Sequence, residues 1–103
     1  MKKFVFVLAL VAFNSFADDA AEGRAKADTA CALCHGYNGV ATMPGAPNLA
    51  GQQAIYLSEQ LKNYRSGKRQ HEVMGYIAKP LTDAEIAQLS AWFNSIKVTV
   101  EAP

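Results

Sequence analysis

Apolar positions along the chain change their spacing repeatedly, and each change marks a boundary. Residues 4–13 (FVFVLALVAF) form an unbroken apolar run of ten behind Lys2 and Lys3. From Asp18 onward the sequence turns alanine-rich and amphipathic. Asp19 is the expected N-cap of a first helix, Glu22 lies three positions on, and the helix runs toward Cys31. A second helix is expected from about Gln53 to Ser66, because Leu57, Leu61 and Tyr64 recur at helical spacing and Gly67 suits its C-terminal end. The third helix has the strongest signal. Thr82-Asp83-Ala84-Glu85 is a capping box behind Pro80, and Ile86, Leu89, Phe93 and Ile96 follow on one face. Residues 36–51 carry four glycines and two prolines and read as a loop, and residues 67–80 read as a second irregular stretch. Only Val98-Thr99-Val100 is β-like, at a C-terminus expected to fray. The pattern predicts an all-α domain with three main helices and long loops. Loops that long in a small domain generally serve a site.

The apolar run at the start has a different explanation from the rest. Lys2 and Lys3, the ten apolar residues, and Ser15 and Ala17 at the cleavage positions make residues 1–17 a secretory signal peptide. A membrane-spanning helix needs about 20 apolar residues, so the run is too short to cross comfortably. Removing 17 of the 103 residues leaves 86, read as a single domain over residues 18–103, and changes the formal charge from +1 to −1. No basic stripe points to nucleic acid, and the mature chain is expected to have no membrane span. Apolar residues make up 50% of the chain and charged residues 18%, which excludes disorder. An 86-residue helical domain buries little surface by itself, so a cofactor or cross-link is expected to complete its core.

The chemistry lies in Cys31-Ala32-Leu33-Cys34-His35, a C-x-x-C-H motif of the kind that attaches c-type haem. Two thiols three positions apart can each add to a vinyl group on one porphyrin edge, while the adjacent imidazole reaches over the ring to the iron. Other uses of the two cysteines fit less well. A redox dithiol of the thioredoxin kind belongs beside a βαβ unit, which is absent. A closed zinc site would need more ligands than His71 can add. A Cys31–Cys34 disulfide would close a very small loop and stabilise little.

If His35 is one axial ligand, the other must come from Met43, Met74 or His71. Met43 follows His35 by only eight residues, and reaching the opposite ring face would strain the chain. Met74 sits in the irregular stretch beside Gly75, which permits close backbone approach. His71 reads as a solvated surface residue. Met74 is therefore favoured, with the other two kept as alternatives.

From Cys31 onward the chain resembles the small class I cytochromes c, and most of all the cytochrome c4 and c553 group. The motif Cys31-Ala32-Leu33-Cys34-His35-Gly36 carries the resemblance, with Pro47-Asn48-Leu49-Ala50-Gly51-Gln52, Tyr56-Leu57, Gln60-Leu61, Arg65-Ser66-Gly67-Lys68-Arg69, Met74, the capping box and Leu89-Ser90-Ala91-Trp92-Phe93. The resemblance implies a cytochrome c fold wrapped around one covalent haem c, with His35 and Met74 on the iron and the Pro47 carbonyl accepting from His35. It also implies that the first and last helices cross, Gly23 and Ala27 allowing close approach to Leu89 and Trp92. Cytochrome c4 proteins carry two such domains, whereas this chain has one haem motif, and Trp92 stands where the family often has Tyr.

The function this implies is a one-electron carrier between respiratory or dehydrogenase partners, exported to the periplasm, and not an enzyme. A His/Met-ligated iron has both axial positions filled, which favours electron transfer over oxygen chemistry. The alternatives are the electron-accepting subunit of a periplasmic dehydrogenase and, with an open sixth site, a haem enzyme or gas sensor. Redox proteins are the expected partners, with the chain a monomer or weak dimer. The uncharged loop 39–46 is expected to rim the haem edge as an apolar docking patch, and one of Arg65, Lys68 and Arg69 is a candidate partner for a haem propionate.

Overall fold

The computed structural model describes residues 1–10 and 16–103. Residues 11–15, which hold the end of the apolar run and Ser15 of the expected cleavage site, lie outside the described residues. Residues 1–10 adopt no regular element and are exposed.

Among the described residues five helices follow in order: α1 (Phe16–Ala30), α2 (Ala32–His35), α3 (Ala54–Ser66), α4 (Glu72–Ala78) and α5 (Asp83–Ser95). No strand occurs among the described residues, so the all-α expectation holds, with α1, α3 and α5 as the three main helices. Val98-Thr99-Val100 pairs with nothing as a strand. Val98 instead rests on the backbone at Gly51, where a Cβ would lie 3.0 Å from its Cγ2.

The α5 capping box forms as its sequence requires. Thr82 Oγ1 accepts from Glu85 N at 3.1 Å, and Glu85 Oε1 accepts from Thr82 N at 3.1 Å. Gly67 ends α3 in the left-handed region at φ 83°, its N–H bonding the Tyr64 carbonyl. Two expectations are corrected. Asp19 does not cap α1, because the helix already runs at Phe16 and Asp19 sits in its first turn. There both aspartates favour the helix through its dipole. The stretch 67–80 is not irregular throughout, since it contains α4. A seven-residue helix with a glycine inside and a histidine as its cap carries only Glu72 in its first turn as a start signal.

The longest packing surface joins α1 to α5, which cross at Gly23. A side chain there would overlap the Gln88 carbonyl on α5, so only glycine permits this distance. Ala27, Leu57, Ala78, Leu81, Ile86, Leu89 and Phe93 form the core, with Cys31, Leu49, Leu61, Tyr64, Trp92 and Ile96 partly buried around it. Among the described residues only Ile86 and Leu89 are large side chains buried completely. That is a thin core for a domain of this length, and Cys31 lies at its edge.

Candidate haem site

Cys31 stands at the joint between α1 and α2. Its N–H bonds the Ala27 carbonyl at 2.9 Å, and its own carbonyl accepts from His35 N at 3.0 Å. The helical ladder thus carries on through the joint and places Cys31, Cys34 and His35 on a rigid element. Both thiols are free. Burial pushes the Cys31 thiol up to about 11, opposed by the charge of Lys26. Cys34 Sγ lies 3.5 Å from Met43 Sδ. Met43 is therefore seated beside the second cysteine of the motif.

His35 is 7% exposed, and its Nδ1 lies 2.8 Å from the Pro47 carbonyl. A carbonyl only accepts, so this bond puts the proton on Nδ1 and leaves the lone pair on Nε2. The loop that delivers Pro47 is stitched by its own backbone. The Gly39 carbonyl accepts from Leu49 N at 2.8 Å and Ala50 N at 3.0 Å, and Asn48 Oδ1 accepts from Ala41 N at 2.8 Å. Thr42 N and Met43 N both bond the Cys34 carbonyl, at 3.0 and 3.3 Å, and Thr42 Oγ1 bonds the Leu33 carbonyl at 3.1 Å. Gly51 N reaches the Phe93 carbonyl at 2.8 Å, which fixes the loop to α5. Gly39 adopts φ 74°, and a Cβ there would lie 2.7 Å from Ala50 N, so the loop closes only around glycine. The loop's Val40 and Met43 stay exposed, as do Leu33 and Tyr37 on the motif side.

Met74 is half-buried on α4, a separate element from the cysteine motif. Its N–H donates to His71 Nδ1 at 3.1 Å. A mostly apolar cleft of about 460 Å³ lies nearby, lined by Lys26 and Ala30 of α1, Tyr76 and Ile77 of α4, and Lys79, Pro80 and Leu81; Cys31, Cys34, His35 and Met74 do not line it. No helix among the described residues is long and apolar enough to cross a membrane. None of their His, Cys, Asp and Glu side chains gather in threes as a metal cluster would require.

Two members of the basic cluster have protein partners. Arg65 donates to the Leu81 carbonyl at 3.0 Å and to Asp83 at 2.6 Å. Arg69 donates to Gln60 at 2.9 Å and stacks over Tyr64 at 4.7 Å. Two of the three candidate propionate partners therefore tie α3 to its neighbours. His71 is exposed as expected, but it is also the cap of α4, with its ring set edge-on to Tyr64. Nothing in the sequence marks that role, because histidine is seldom an N-cap. Trp92 keeps its aromatic place, with the Arg24 guanidinium 5.3 Å over its ring and its indole N–H buried without a partner among the described residues.

An all-helical domain with a C-x-x-C-H joint and a buried, oriented histidine is the architecture of a c-type cytochrome. The model of the family described as Cytochrome c matches residues 20–97, and the chain belongs to that haem-binding, electron-transfer family. It is 38% identical over 96 residues to a cytochrome c4 of Pseudomonas aeruginosa, covering 93% of this chain and 47% of that one. It is 42% identical over 82 residues to cytochrome c-554(548) of Halomonas halodenitrificans, covering 77% of this chain and 98% of that one. Its fold matches the cytochrome c4 structure from Acidithiobacillus ferrooxidans at a TM-score of 0.72 and 34% identity, over 76% of this chain and 49% of that one. The chain thus spans about half the length of these cytochrome c4 relatives. A thiosulfate dehydrogenase electron acceptor of Thiomonas intermedia is 37% identical over 68 residues, which is 65% of this chain and 31% of that one.

Proposed function

We propose that the chain is an exported one-electron carrier with one haem c, attached through Cys31 and Cys34 and ligated by His35 and Met74. The observation that carries the reading is the His35–Pro47 bond beside two unpaired thiols, because it orients Nε2 as a metal donor on the element that holds the cysteines. The thin core, with Cys31 at its edge, is what a domain built around a large apolar group would show. When bound, the haem supplies a reversible ferric/ferrous couple. His35 and Met74 would then hold the iron and leave no site for a further ligand, and the Met74 thioether would favour the ferrous state.

The same reading takes residues 1–17 as a cleaved signal peptide, residues 18–103 as the mature domain, and the periplasm as its place of work. The likeness to a thiosulfate dehydrogenase electron acceptor favours one refinement, that a dehydrogenase is the electron donor. The exposed apolar residues Leu33, Val40 and Met43, on a segment without charge, supply a surface for brief contact with redox partners.

Carbon monoxide added to the reduced holoprotein tests the closed site. The wild type is expected to bind none and Met74→Ala to bind it readily, with a lower reduction potential. Binding by the wild type would point to the enzyme or sensor class. An unchanged Met74→Ala protein would move the ligand role to Met43 or His71.

A further inference from the structure

Helix α4 is too short to hold itself in shape, since isolated helices below about 12 residues are marginal in water. Its first-turn N–H groups have no partner inside the helix and must find one outside. One of them belongs to Met74, and the group it finds is the imidazole of His71, extended at φ −157°, ψ 127°, with Nδ1 3.1 Å from Met74 N. The ring does not float. It sits edge-on to Tyr64 at 6.3 Å and 74°, Tyr64 lies under the Arg69 guanidinium, and Arg69 is anchored on Gln60. At the other end of the segment Arg65 holds the Leu81 carbonyl. The helix that carries Met74 is therefore gripped from α3 at both ends, and the grip at the front acts on the backbone of Met74 itself.

We infer that His71 is a positioning residue for the axial ligand: by accepting the Met74 N–H it fixes the Cα from which the thioether reaches the iron. This rests on Met74 being that ligand. The imidazole thus serves the iron through the backbone of its neighbour, and its own Nδ1 is occupied in doing so.

The test is titration of the ferric holoprotein with free imidazole, which competes with the thioether for the sixth position. His71→Ala is expected to raise the apparent affinity for imidazole about fivefold, the equivalent of ~1 kcal/mol, and His71→Asn, which restores a capping side chain, to return it to within about twofold of the wild type. Thr82→Ala removes a cap from α5 instead and should leave the affinity within about twofold. A rise in Thr82→Ala equal to that in His71→Ala would mean general loosening and would overturn the inference. So would an unchanged His71→Ala. Met74→Ala separates the two layers: it should bind imidazole far more tightly whatever stands at position 71. If it does not, Met74 is not the ligand and both readings fall; if it does while His71→Ala is silent, only the positioning role falls. Should His71→Ala fail to fold, amide exchange of the wild type decides. Met74 N–H should be protected at least tenfold over its exposed neighbour Val73, and equal rates would contradict the cap.

Discussion

The two halves of the site are built by opposite means. Residues 29–58 contain no charged side chain at all, and they hold the cysteines, His35 and Pro47. Their shape comes from backbone groups bonding backbone groups around Gly39, with Asn48 and Thr42 assisting. Residues 59–85 contain nine charged side chains and carry Met74. There the chain is held by side chains: Arg65 on Leu81 and Asp83, Arg69 on Gln60 and Tyr64, His71 on Met74, and Lys26 on Glu85 at 3.0 Å. The histidine half is thus fixed by sterics and the methionine half by polar contacts open to solvent. The first should be intolerant of volume, the second responsive to conditions.

Matched glycine substitutions sharpen that contrast. Gly39 and Gly67 both have positive φ, at 74° and 83°, but a Cβ on Gly39 meets the Ala50 backbone while one on Gly67 meets nothing within 4 Å. Gly67→Ala is expected to cost only the left-handed conformation, about 1 kcal/mol. Gly39→Ala adds overpacking against backbone, for a total of about 3 kcal/mol. Denaturant unfolding of the two holoproteins measures both. Equal costs would show that the loop yields where the packing says it cannot.

Acid should act on the methionine half, with a smaller effect. The Arg65 hydrogen bond, reinforced by its charge, holds the Asp83 carboxyl below its ordinary 3.8. The Thr82 N–H and then Lys26 hold Glu85 below its ordinary 4.5. A depressed carboxylate stabilises the fold above its ordinary value, and that contribution is lost as pH falls through the folded value. The thermal midpoint should therefore fall as pH drops below about 4.5, and Asp83→Asn should lower the midpoint slightly near neutrality, converge with the wild type in acid, and so flatten part of that fall. Both carboxylates are exposed, so the effect is modest. Identical pH profiles for Asp83→Asn and wild type would mean that the Arg65 contact contributes nothing.

The same division decides what can be read from the sequence. The histidine half is legible because its chemistry is local: C-x-x-C-H lies within five residues, and the glycines and prolines after it announce a loop. The α5 helix is legible for the same reason, its cap and core face being contiguous. The α1 helix is legible but its start is not, because Asp19 looks the same as a cap or as a first-turn residue. The α4 helix is not legible. It depends on a histidine cap, and on arginines sixteen and nine residues away from their partners, in no pattern that periodicity detects. The partners of the basic cluster are not legible on the same ground, since a run of cations in sequence says nothing of which carbonyl or ring Arg65 and Arg69 meet.

The central claim is that one haem is joined to this chain at Cys31 and Cys34. Extraction of the purified holoprotein with acidified organic solvent, followed by intact-mass measurement of the polypeptide, tests it most directly. The account predicts that the colour stays with the protein, that the mass exceeds that of the chain by one haem, and that Cys31→Ser with Cys34→Ser abolishes the addition. Colour passing into the solvent, or a wild-type polypeptide at its bare mass, would contradict it.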